Sequence, residues 1–295
     1  MNSLTPWPTI AHTLAHWRAQ GLDRLDSQLL LLHVLNQPAH HRAWLLSHDT
    51  DVVDVPTLQR LAILATRRLQ GEPLAYLTGH KEFYGLDLQV DARVLVPRPD
   101  TETLVDWALE VLALNAPPDA RSAPTKLDQS VLDLGTGSGA IALALKHTRP
   151  DLQVSAIDFS DDALAVAAAN ARRLRLDVRF SQGSWLTGVQ VKYGVIVSNP
   201  PYIAAQDAHL AALTHEPLQA LASGADGLDD LRQIIQQAPR CLQPGAWLLL
   251  EHGYDQAPAV RSLLTEAGFS DVQSRCDLSG IERCSGGRRM HQPAP

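Results

Sequence analysis

No stretch of the 295 residues approaches the ~18 consecutive apolar positions that a membrane-spanning helix requires. The first six residues, Met1-Asn2-Ser3-Leu4-Thr5-Pro6, also lack a positive segment ahead of an apolar core. Together these absences set the expectation of a cytoplasmic protein. Cysteine is scarce: Cys241, Cys276 and Cys284 are odd in number and form no Cys-x-x-Cys pair, which argues against a disulfide framework and a cysteine zinc site. The histidines His12, His16, His33, His40, His41 and His48 do not keep ligand spacing with nearby carboxylates, so no metal is expected. Excess positive charge is missing too. A net charge of −7 argues against an electrostatic grip on a nucleic-acid backbone as the main mode of binding. No internal repeat or low-complexity tract is visible.

What remains is an ordinary globular composition, 45% hydrophobic and 19% charged, long enough for one sizeable domain and a smaller one. Residues 8–71 keep helical spacing, with Leu25, Leu29, Leu32 and Leu35 on one helix and Leu58, Leu61, Leu64 and Leu69 on another that begins near Pro56. This predicts a small all-α bundle over residues 1–75, with Trp7, Trp17 and Trp44 as core residues. Leu86, Leu88 and Val90 then alternate with polar positions behind Gly85, which predicts a β-hairpin connector over residues 76–96. A helix begins at Asp100 or Thr101, with Arg98 and Glu102 read either as an exposed cap and its neighbour or as functional. Pro117, Pro118 and Pro124 mark a surface linker.

Beyond the linker, short β-branched runs alternate with helices. Strands are expected at residues 131–134, 154–157, 178–180, 195–198 and 247–250, with a turn at Gln243-Pro244-Gly245. Such alternation predicts a doubly wound, parallel α/β sheet over residues 97–295. In such sheets ligands bind beyond the carboxyl ends of the strands.

Four of those ends carry chemistry. Asp133-Leu134-Gly135-Thr136-Gly137-Ser138-Gly139 supplies glycines where the backbone must turn tightly and approach a ligand. With Ala140 it also satisfies Gly-x-Gly-x-x-Ala, so a dinucleotide is an alternative. Asp158 ends the second strand, where a carboxylate can accept from both ribose hydroxyls. Gly183-Ser184-Trp185 follows the third, and the Trp185 ring suits either an adenine or a core. Asn199-Pro200-Pro201-Tyr202 follows the fourth. Two prolines cannot continue a central strand, so this is a stiff loop. The Asn199 side-chain oxygen and the Pro200 carbonyl could each accept one N–H of a planar NH2 group, and Tyr202 offers a face to stack on. On its own, Asn-Pro-Pro also reads as a plain turn.

In this order, these motifs resemble those of the release factor glutamine N5-methyltransferase family. Phe83-Tyr84-Gly85, Pro97-Arg98-Pro99-Asp100-Thr101-Glu102, Glu216-Pro217 and Gly224-Ala225-Asp226-Gly227-Leu228 agree with it. The resemblance implies a seven-stranded, mostly parallel class I (Rossmann-like) methyltransferase sheet. It also implies methyl transfer from S-adenosylmethionine, leaving S-adenosylhomocysteine, to the glutamine of the Gly-Gly-Gln loop of release factors. By position, Gly135, Thr136, Gly137, Ser138 and Gly139 would wrap the methionine part of the cofactor. Asp158 would hold the ribose, Trp185 would lie beside the adenine, and Asn199 would border the cofactor. Asn199, Pro200, Pro201 and Tyr202 would hold the substrate amide and carry catalysis. The bundle would help recognise the release factor, and the protein is expected to act as a monomer without nucleic acid or membrane. One departure is the broken, basic run at residues 281–289, which puts the length of the last strand in question. Competing readings are an adenine-N6 methyltransferase acting on a flipped base of DNA or RNA, a non-catalytic binding module, and an NAD dehydrogenase.

Overall fold

The computed structural model describes residues 8–114 and 129–290; Met1 to Trp7 and the prolines at 117, 118 and 124 lie outside the described residues. The chain divides into two compact units between His80 and Lys81.

The first unit contains helices α1 (Ile10–Ala19), α2 (Arg24–Val34), α3 (Arg42–Ser47), α4 (Val55–Leu69) and α5 (Leu74–Thr78). Thr9, Asp23 and Asp54 cap α1, α2 and α4 by accepting from His12, Leu25 and Thr57 backbone N–H groups, which satisfies donors that helix ends leave orphaned. α2 is central, packed by α1, α3, α4 and α5. That position explains its run of leucines: Leu30, Leu31 and Leu32 are all fully buried, wider than the single stripe of Leu25, Leu29, Leu32 and Leu35 that the spacing suggested. Leu25 is exposed. Trp17 and Trp44 pack, half-buried, against the bundle core.

The second unit begins with the hairpin β1 (His80–Phe83) and β2 (Leu86–Gln89), of which His80 alone belongs to the first unit. Tyr84 (φ 51°) and Gly85 (φ 75°) form its two-residue turn, the backbone that suits the strand twist. The hairpin buries Phe83, Leu86 and Leu88 in the core of this unit. An alternating strand has one apolar face and must cover it. A short 3-10 turn, Pro99–Thr101, then leads into α6 (Glu102–Leu114).

The remaining elements are β3 (Ser130–Leu134), α7 (Ala140–Thr148), β4 (Gln153–Asp158), α8 (Asp161–Leu174), β5 (Arg179–Gln182), β6 (Tyr193–Ser198), α9 (Asp229–Cys241), β7 (Leu242–Glu251), α10 (Ala257–Glu266), β8 (Phe269–Cys276) and β9 (Glu282–Arg289). They build a seven-stranded sheet in the order β5-β4-β3-β6-β7-β9-β8. The five strands from β5 to β7 pair in parallel; β9 runs antiparallel to both β7 and β8. The period of two sorts the side chains. Val131, Val195, Val197 and Leu249 face a core built with α6 and α7, while Leu132, Leu134, Ile196, Leu248 and Leu250 face one built with α9 and α10. Asn170 of α8, fully buried, accepts from Gln89 N at 2.8 Å and donates to Gln89 O and Ser138 O at 3.0 Å, joining hairpin, helix and glycine loop. Among the described residues no helix is long and apolar enough to cross a membrane.

Two local expectations need correcting. Gln243-Pro244-Gly245 is not a turn between elements but lies inside β7, where the pairing jumps from Tyr193↔Leu242 to Val195↔Trp247. A bulge of this kind takes in a proline that a regular central ladder would reject. The basic run at 281–289 forms a full eight-residue strand, β9, between β7 and β8. Its glycines look strand-breaking, but packing demands them. A Cβ on Gly286 would stand 2.7 Å from Leu248 O and from Leu249 Cδ2, and 2.9 Å from Trp107 Cη2. Gly286→Ala is therefore expected to destabilise the protein by about 1–3 kcal/mol in urea unfolding, the usual range for overpacking. A loss below about 0.5 kcal/mol, the level of neutral surface changes, would contradict this packing account.

Candidate active site at the strand ends

Register brings the functional residues together. Leu134 pairs with Ile157 and with Ser198, Asp158 with Gln182, and Ser198 with Leu250. The residues that follow, Gly135, Asp158, Gly183, Asn199 and Glu251, therefore leave the sheet side by side. A cavity of about 330 Å3 opens over them, lined among others by Gly135, Gly137, Asp158, Trp185, Asn199 and Pro201.

At the end of β3 the loop turns on Gly135, Gly137 and Gly139, with φ of 68°, 55° and 84°. A Cβ on Gly137 would meet nothing within 4 Å, so its requirement is conformational. One on Gly135 would lie 3.3 Å from the Trp185 ring, and one on Gly139 would lie 3.0 Å from Leu143 Cδ1, so these two are also packing positions. Asp133 closes the loop from beneath. Its Oδ2 accepts from Thr136 Oγ1 at 2.7 Å and from Ala142 N at 3.2 Å, while Oδ1 has no partner among the described residues. The Thr136 hydroxyl is thus spent inside the protein, and Ser138 is buried with its carbonyl on Asn170. Of the five loop residues expected at the cofactor, Gly135 and Gly137 line the cavity; Thr136, Ser138 and Gly139 stand behind it.

Asp158 ends β4 with each oxygen already held by backbone: Oδ2 by Gly137 N at 2.8 Å, Oδ1 by Ser160 N at 2.9 Å. Each carboxylate oxygen keeps a second lone pair for a hydroxyl. Burial raises the Asp158 carboxyl above its ordinary value, against the pull of those N–H bonds. Trp185, itself at φ 50°, donates Nε1–H to Asp230 Oδ1 at 3.0 Å and lays its ring edge over Gly135. Phe159, 70% exposed at the cavity, escaped sequence reading because a single aromatic after a strand carries no pattern.

The Asn-Pro-Pro-Tyr loop is held from behind. Asn199 Nδ2 donates to Thr101 Oγ1 at 3.2 Å; Pro200 is buried; Tyr202 donates its hydroxyl toward Glu251 Oε1 at 3.4 Å, and its carbonyl accepts from Gln256 Nε2 at 3.0 Å. Burial pushes the Glu251 carboxyl up to about 7, and its Oε2 has no partner among the described residues. Burial, then the negative charge of Glu251, pushes the Tyr202 phenol up, so it is un-ionised. Arg98 and Glu102 are more than a cap. Arg98 pairs with the buried Glu216, whose other oxygen accepts from Val96 N at 3.0 Å, and Glu102 accepts from Tyr84 N at 3.0 Å. Thr101 reads only as a helix start within the run 97–102, and Glu251 was missed in the sequence. The available signal was position: Glu251 ends an apolar strand just as Asp133 and Asp158 do.

The methyltransferase small domain family matches residues 105–266, and the PrmC N-terminal domain family matches residues 12–79. A release factor glutamine methyltransferase of Bordetella pertussis is 49% identical over 90% of this chain and 95% of its own length. The chain belongs to the release factor glutamine methyltransferase family. A further family member, from Burkholderia pseudomallei, is 45% identical over 98% of this chain and 99% of its own. Among solved structures, a methyltransferase from Pyrococcus furiosus aligns with a TM-score of 0.51 at 18% identity, over 77% of this chain and 98% of that one. The hMettl16 catalytic domain aligns at 0.56 and 15%, over 82% and 84%. At such identities these two bear on the fold alone.

As a member of this methyltransferase family the chain uses S-adenosylmethionine, and the residues fit that cofactor. The glycine cradle, the half-buried Asp158 and the aromatic Phe159 and Trp185 around one cavity suit an amino-acid moiety, a ribose and a base respectively. Asp158→Ala is expected to weaken S-adenosylmethionine binding by roughly 10- to 100-fold in calorimetric titration, the loss of hydrogen bonds to a charged group. Unchanged affinity would remove Asp158 from the cofactor site.

Burial also pushes the Asp133 carboxyl from 3.8 up to about 7. Between these values the folded chain keeps a proton that the unfolded chain has released, so stability falls as pH rises through the window. Relative to wild type, Asp133→Asn should accordingly be more favourable at pH 8 than at pH 5 in urea melts; a difference independent of pH would contradict the assignment.

Proposed function

We propose that this protein transfers the methyl group of S-adenosylmethionine to the side-chain amide nitrogen of the glutamine in the Gly-Gly-Gln motif of peptide chain release factors. The observation that carries the chemistry is the orientation of Asn199. With Nδ2 given to Thr101, its Oδ1 is the acceptor left for a ligand at the cavity. The Pro200 carbonyl, fixed by two prolines, is the second acceptor in this reading.

An amide nitrogen is a poor nucleophile because its lone pair is delocalised into the carbonyl. Two acceptors that take both N–H bonds orient the nitrogen and stabilise the positive charge that develops on it, by dipoles already in place. When bound, S-adenosylmethionine supplies an electrophilic methyl group on a sulfonium that is its own leaving group. Holding an acceptor nitrogen in line with a methyl group is worth at best on the order of 7–11 kcal/mol. The extra proton leaves after transfer, so no histidine is assigned to the step. Tyr202 packs beside the amide, its phenol kept neutral by burial and by Glu251.

In this reading the bundle of the first unit serves in recognition of the release factor, and the protein acts as a monomer. A substrate that works in translation places the reaction in the cytoplasm.

The test is to incubate the protein with methyl-labelled S-adenosylmethionine and, separately, release factor, the same factor with its Gly-Gly-Gln glutamine replaced, and total nucleic acid. Label is expected on intact release factor alone. Label on nucleic acid would overturn the substrate assignment. Asn199→Ala should lower kcat by roughly 100- to 1,000-fold, the usual cost of one preorganised polar group at a developing charge. Near-normal turnover in a folded Asn199→Ala protein would remove the loop from the reaction.

A further inference from the structure

Trp185 holds a backbone conformation that bulky residues rarely adopt, with φ at 50°. Such a conformation persists where the surroundings over-determine it. Here α9 supplies the restraint. Asp230, in its first turn, accepts the indole Nε1–H on Oδ1 at 3.0 Å. Gln237, seven positions on and so on the same face, accepts Leu186 N–H on Oε1 at 3.0 Å. Leu186 is itself fully buried in the core that α9 helps to build. Asp230 is fixed in turn, because its own N–H donates to the buried Ser223 Oγ at 2.9 Å. An indole N–H only donates, so the sense of the bond from Trp185 to Asp230 is settled whatever the charge on the carboxyl.

That bond decides where the ring lies. With its nitrogen turned to Asp230, the far edge of the indole, Cζ3 and Cη2, comes to 3.3 and 3.5 Å from where a Cβ on Gly135 would stand. The ring is thus pinned at both ends, by a hydrogen bond at the nitrogen and by packing on the glycine loop. Gly135, Trp185 and Asp230 line the same cavity as Asp158. We propose that Asp230 is a positioning residue for S-adenosylmethionine, holding the Trp185 indole as a fixed wall against which the adenine lies. This rests on the assignment of the cavity to the cofactor and of Trp185 to its adenine. A wall set in advance spares the ligand the cost of ordering that side chain on binding. An acidic residue in a first turn also favours its helix by charge alone. That effect does not depend on whether residue 185 carries a donor, and on this point the two roles part.

Asp230→Ala is expected to weaken S-adenosylmethionine binding by roughly 3- to 10-fold in calorimetric titration, the scale of one hydrogen bond. The loss should appear in KM for the cofactor and not in kcat, because the wall touches no reacting atom. Asp230→Asn keeps an oxygen acceptor and should recover most of the affinity. A double-mutant cycle separates positioning from damage to the fold. Trp185→Phe keeps a ring but has no donor, so on that background Asp230→Ala should weaken binding by less than about twofold. Unchanged affinity in Asp230→Ala, an equal loss in Asp230→Asn, or the same loss with and without the Trp185 donor would overturn the proposal. Trp185→Ala checks the assignment beneath it. Loss of an aromatic partner for a base should cost roughly 10- to 100-fold in cofactor affinity. Unchanged affinity there would remove Trp185 from the cofactor site, so the two failures are distinguishable.

Discussion

Parallel pairing of β3 with β4 on one side and β6 on the other is the constraint on which the site depends. Register in a parallel ladder fixes where each strand stops relative to its neighbours. Because Leu134 lies beside both Ile157 and Ser198, Gly135, Asp158 and Asn199 emerge on one edge although they are separated by 64 positions of chain. The strand order reverses at β3, so the crossovers from β3 and from β6 depart to opposite sides and leave a crevice between them. A slip of one residue in β3 would exchange the faces of Val131 and Leu132, spoiling both cores at once. The site therefore inherits its precision from the packing beneath it.

Carboxylates recur on this edge for a related reason. Asp133, Asp158 and Glu251 each stand where an apolar strand gives way to a loop, with backbone or hydroxyl donors close by. Each is raised by burial and pulled down by its hydrogen bonds. The balance differs with depth. Asp158 is half-buried with two backbone N–H donors and has lone pairs to spare for a ligand, whereas Asp133 and Glu251 are sealed and act on their neighbours. One strand-end position thus leaves a carboxylate with lone pairs open to the cavity in one case and sealed carboxyls in the other two. Local dielectric and donor count make the difference.

Much of this was legible in the sequence because its signals are local. Glycines at positive φ, an aspartate ending a β-branched run and a proline pair that cannot continue a strand each follow from the chemistry of a few adjacent residues. The missed features are relations across the chain. Glu251 meets the Tyr202 hydroxyl, 49 positions earlier, and nothing near either residue announces the pair. The turn expected at Gln243-Pro244-Gly245 failed because β7 takes these residues in as an irregularity of its pairing with β6. β9 was doubtful because Gly286 and Gly287 weaken a strand in isolation, while in the sheet they make room for Trp107 and Phe269. Propensity yields to tertiary packing at such positions.

The segment after the Asn-Pro-Pro-Tyr loop shows how the cavity keeps its roof. Ile203 N donates to Leu221 O and Ser223 N to Ile203 O, so the excursion between them is closed at its base like a hairpin. Near its middle Glu216 reaches the stretch before α6, accepting from Val96 N and pairing with Arg98. Those two stretches contribute Val94 and Leu95 on one side of the cavity and Pro217 and Ala220 on the other. A single buried carboxylate therefore joins both halves of the roof, directly beside the turn that carries Thr101. Glu216 thus ties residues 96–98 to this excursion just ahead of Thr101, whose hydroxyl receives the Asn199 amide.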